Sequence, residues 1–110
     1  MTAREKKQEV EVLFHEMGYV FRRIMKNVGI MMTDVLSFSV KDSKSGLSKS
    51  FVSTVHAPGT PNHNKEVFCV RVSRGKVECR VPNRSLKCIL EKELGILKEG
   101  LLSGREIIFT

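Results

Sequence analysis

The chain has no tryptophan, one tyrosine and three prolines, and only 6% of its residues are aromatic. With stacking surfaces so scarce, unpaired bases would find a platform only if several of its six phenylalanines stood outside the core. No apolar run approaches the roughly 20 residues that a membrane-crossing helix needs, and the charged start of the chain does not read as a secretory signal. An intracellular location, cytoplasm or nucleus, with no integral membrane association is therefore expected. The three cysteines, Cys69, Cys79 and Cys88, are too few and oddly numbered for a disulfide framework. No two of them have the short spacing of a zinc knuckle, so reduced thiols are expected.

Motifs that bring chemistry with them are missing as well. There is no dinucleotide or P-loop glycine signature, no H-E-x-x-H and no EF-hand loop. His15-Glu16 begins like a zincin helix, but Tyr19 stands where the second ligand belongs. His56 and His63 flank a Pro/Gly loop, and with Cys69 they form the one arrangement worth weighing as nucleophile and base. It lacks an identifiable acid partner, so the histidines read as solvated loop residues and Cys69 as a small strand residue. Glu91 and Glu93 read as solvent-facing. No enzyme, cofactor or metal is expected.

What is present suffices for one modest core: 110 residues, 41% of them hydrophobic and 28% charged. Residues 2–27 read as one long helix. Val10, Leu13, Phe14, Met17, Phe21, Ile24, Met25 and Val28 recur at intervals of three and four, forming a stripe about 120 degrees wide. Gly18 at the stripe's edge marks either close packing or a bend, and Gly29 is a stop signal that would return Ile30, Met31 and Met32 to the core. Residues 34–42 alternate as a half-buried strand, residues 49–56 form its hairpin partner, and residues 57–64 are a loop rich in Pro and Gly.

Between Val67 and Val81 a two-residue turn at Arg74-Gly75 sets Val72 against Val77, Val70 against Cys79 and Phe68 against Val81. The other face then pairs Arg71 with Glu78 and Cys69 with Arg80. Asn83 or Ser85 caps a second helix that Gly95 stops, with Cys88 expected to be buried. Residues 106–110 form a last short strand, either tied into the sheet or covered by a partner. The fold class expected is α+β over the single domain 1–110: a two-layer domain with a long N-terminal helix and a second helix on one face of a four- to five-stranded, mainly antiparallel sheet.

Two surfaces then compete for a function. Opposite the core stripe of the first helix, Val12 and Tyr19 are anchors for a second seam, with Glu16 and Arg23 at its rim. That seam, together with an exposed sheet edge, fits a non-catalytic domain for protein–protein interaction or homodimerisation. The alternative follows from the formal net charge of +7 and from six cations on one hairpin and the following helix start. Arg71, Arg74, Lys76, Arg80, Arg84 and Lys87 would form a patch for RNA, DNA, acidic phospholipid or another polyanion.

Overall fold

A computed structural model describes residues 1–110. The element order is α1 (Ala3–Glu16), α2 (Gly18–Met31), β1 (Leu36–Asp42), β2 (Ser48–Val55), β3 (Glu66–Ser73), β4 (Lys76–Arg80), α3 (Arg84–Ile96) and β5 (Glu106–Phe109). No helix is long and apolar enough to cross a membrane.

The long N-terminal helix is broken at Met17. Its start is a capping box, in which Thr2 Oγ1 accepts from the Glu5 N–H while Glu5 accepts from the Thr2 N–H, both at 3.2 Å. At Met17 ψ falls to −4°, and the N–H groups of both Val20 and Phe21 bond its carbonyl, a locally tightened turn. A Cβ on Gly18 would meet nothing nearer than Arg22 Nη1 at 3.8 Å, so this glycine marks the bend rather than close packing. Gly29 does not end the helix, which runs on to Met31. Ile30 and Met31 are exposed in consequence, and only Met32 packs on the core.

The sheet is five-stranded in the order β1-β2-β3-β4-β5, antiparallel throughout except for the parallel β4–β5 pair. β3 and β4 pair as Val72↔Val77, Arg71↔Glu78, Val70↔Cys79 and Cys69↔Arg80. The Phe68–Val81 pair does not form. β4 stops at Arg80, one residue before Val81-Pro82, and the Val81 N–H turns to the Thr110 carbonyl beside β5. β5 is thus tied into the sheet. A one-residue shift between Ser53 and Thr54 marks an irregularity in the β2–β3 ladder.

All three helices cover one face. Phe14 packs on Phe21 with ring centroids 4.9 Å apart, Phe21 stacks on Phe51 at 4.7 Å, and Phe51 meets Phe38 and Phe68 at 5.8 Å. Phe14, Phe21 and Ile24 are buried while Val12 and Tyr19 are half-exposed, the inside and outside that the apolar stripe requires. In α3 the buried stripe is Leu86, Leu90, Glu93 and Leu94. Cys88 is exposed, contrary to expectation, because two residues from Leu86 is about 200° around a helix. The same phase carries Glu93 inward to 2% exposure, where solvent had been expected.

Candidate interaction surfaces

The six cations of the hairpin and helix start are dispersed and mostly paired. Arg71 Nη2 lies 2.9 Å from Glu78, and Lys76 shares that carboxylate at 3.4 Å. Arg80 grips Glu66 with two bonds of 2.7 Å. Arg74, at the turn, donates to Glu9 of α1 at 2.9 Å, and Lys87 lies 3.9 Å from Glu91. Arg84 alone of the six makes no ion pair. On the sheet face away from the helices, Lys41, Arg71 and Arg80 converge with Glu66 and Glu78 around a shallow trough of about 260 Å³ floored by Val52 and Cys69. The Arg80 guanidinium holds the Glu66 carboxyl below the ordinary carboxylate range, and Arg71 does the same for Glu78.

On the helix layer, Val12 and Tyr19 are both about half-exposed, at 50% and 47%, but they lie on opposite sides of the Met17 break. Val12 and Glu16 line a groove with Met1, Leu101 and Arg105, a lining in which Tyr19 takes no part. Arg23 is not a free rim residue. Its Nε is 2.8 Å from Glu93 Oε2, an ion contact without hydrogen-bond geometry, while Arg23 Nη2 and Asn27 donate to Oε1 at 3.5 Å and 3.3 Å, so α2 neutralises a carboxylate of α3.

The histidine and cysteine arrangement does not assemble. His56 and His63 meet edge to face at 5.6 Å, and His63 Nδ1 accepts the Ala57 N–H at 3.1 Å. Cys69 sits in the open-face trough, whose lining includes neither histidine. No group of three His, Cys, Asp or Glu side chains is placed to hold a metal ion. Burial pushes the Cys79 thiol up to about 12, far from a nucleophile's range.

β1 is the antiparallel edge of the sheet. The Val35 carbonyl accepts from the His56 N–H at 2.8 Å, and the Ser43 N–H donates to the Ser48 carbonyl at 3.1 Å, so the odd-numbered residues face β2. The N–H and C=O groups of Leu36, Phe38 and Val40 therefore point outward. No turn, loop or side-chain hydrogen bond uses them. The same three side chains lie on the helix-covered face, with Leu36 and Phe38 packed on the core margin and Val40 51% exposed. β1 contains no proline, its ladder with β2 is unbroken from Leu36↔Val55 to Asp42↔Lys49, and Lys41 is its one basic residue. Alternation reveals the strand in the sequence, whereas its edge position depends on strand order, which the alternation does not encode.

Comparison with protein-family models, with curated proteins and with solved structures finds no match, so the functional reading rests on this geometry.

Proposed function

We propose that this chain is a non-catalytic protein-interaction domain that adds an extended segment to the β1 edge of its sheet. The supporting observation is the row of outward, unpartnered backbone groups at Leu36, Phe38 and Val40, backed by apolar side chains in a strand without proline or bulge whose charges, Lys41 and Asp42, stand only at its far end. Backbone pairing supplies affinity in such a mode, and the partly buried Phe38 and half-exposed Val40 supply selectivity. Val12 and Tyr19 add exposed apolar area on the helix layer, as two separate points rather than one seam. An intracellular setting belongs to the same proposal, supported by three cysteines that are free of disulfides.

Selection of random nine-residue peptides on the folded protein tests this reading. Selected peptides should slow amide exchange at Phe38 and Val40. They should also bind at least tenfold more weakly to Val40→Pro, a loss of about 1.4 kcal/mol. Proline removes an outward N–H and leaves the β1–β2 bonds intact. Peptides indifferent to that substitution would reject the edge as the binding site.

The polyanion alternative has weaker support, because ion pairs already engage five of the six cations. Labelled RNA, DNA and anionic vesicles at two salt concentrations test it. Salt-sensitive binding weakened by Arg84→Ala would favour the alternative over the edge.

A further inference from the structure

The apolar stretch of the β1 edge specifies more than an extended partner. We propose that the occupant of the β1 edge is β1 of a second copy of this chain, paired antiparallel about a two-fold axis through Phe38. The inference rests on the edge-binding reading and narrows it to one partner.

Hydrogen bonding restricts the possible registers. Since Leu36, Phe38 and Val40 direct their backbone groups outward, an antiparallel copy must set even-numbered residues opposite even-numbered residues. Centring on Phe38 places Phe38 against its symmetry mate and Leu36 against Val40 twice, so the three central pairs on the helix-covered side are apolar, and Asp42 falls opposite Asp34 beyond the strand's start. On the open side Ser37 meets Ser39, a small uncharged match. Centring on Ser39 would instead set Leu36 against Asp42, an aliphatic chain against a carboxylate that lies 3.6 Å from Lys49. The Phe38 ring already stacks on Phe51, with the ring planes 12° apart, so the two-fold would join the aromatic rows of both copies. The other sheet edge has less to offer, since β5 is only four residues long. A two-fold axis at β1 closes the assembly, producing one sheet across two protomers with no edge left for a third copy at that strand.

The experiment combines mass with register. Light scattering over a concentration series should show a shift from 12.5 kDa toward twice that value. Val40→Pro and Val40→Asp should each weaken dimerisation at least tenfold while retaining the wild-type circular dichroism spectrum. In a Cys69→Ser, Cys88→Ser background, an equimolar mixture of Ser37→Cys and Ser39→Cys chains should oxidise to a covalent dimer at least fivefold faster than either alone. These positions face each other as a non-hydrogen-bonded pair, where Cα atoms approach within disulfide reach. Faster self-crosslinking of Ser39→Cys would overturn the Phe38-centred register. A dimer insensitive to both Val40 variants would overturn β1 as its seam. A monomer at every concentration that still binds the selected peptides through Val40 would overturn the second copy alone, and loss of both behaviours would remove the edge reading as well.

Discussion

At the scale of single residues, the most consequential side chain is Glu93, a carboxylate at 2% exposure held by Arg23 and Asn27. Arg23→Ala should cost about 2 kcal/mol in urea unfolding, below the full penalty of a broken buried pair because the arginine is half-exposed. Glu93→Gln keeps the shape and an acceptor for Asn27, and should cost less. The three thiols should separate equally clearly. Iodoacetamide at mildly alkaline pH should label exposed Cys88 first, whereas Cys79 should react only on unfolding, as peptide mass mapping would show. Glu66 and Glu78 are held below their ordinary 4.5, so their pairs stabilise the fold above that pH, and the contribution disappears as pH falls through the lowered values. Arg80→Ala should therefore flatten the stability profile below about pH 4.5, by at most about 1 kcal/mol for so exposed a pair. The half-exposed state of Val12 and Tyr19 was legible from helix phase alone. The role of Arg23 was not, because its partner lies 70 positions away in sequence and nothing local announces the contact.

Among the elements, the β3–β4 hairpin is the piece that the sequence determines most completely. Alternation puts Val70, Val72, Val77 and Cys79 on a common face, the two-residue turn at Arg74-Gly75 selects among the registers that do so, and the structure adopts that one. The N-terminal helix was half legible: its apolar stripe keeps phase on both sides of Met17, so periodicity alone does not reveal the break. Gly18→Ala should raise stability by about 0.5–1 kcal/mol, since helix propensity improves and the added methyl meets only the far end of Arg22. Gly46→Ala should do the reverse. Its φ of +73° penalises a side chain, and a Cβ there would stand 3.1 Å from the Lys7 stem. Thermal unfolding of the two variants should move in opposite directions, Gly46→Ala losing about 1 kcal/mol. The parallel course of β5 was not legible, because an isolated apolar run does not state which neighbour or direction it will take.

For the molecule as a whole, three helices protect one side of the sheet, while charged and small side chains cover the other. This division was predictable from the alternation of the strands. Strand order was not, and with it went the identity of the edge. The cations illustrate the same limit from the other direction. The hairpin register already sets Glu78 beside Arg71, but only the folded chain assigns Glu9 and Glu66 to neutralise Arg74 and Arg80. A charge surplus thus tells little about a surface whose members have been paired off over long sequence distances.

The β4–β5 ladder joins Lys76 to Glu106 and Cys79 to Phe109, across the whole of α3, whereas β3 and β4 meet over a two-residue turn. Closing that long span costs more chain entropy, so β5 should seat after the rate-limiting step of folding has passed. Ile107→Ala should then quicken unfolding severalfold while leaving the refolding rate almost unchanged in stopped-flow kinetics. The same ordering would leave the β4 margin briefly bare on the newly made chain, a window in which a chaperone could hold it.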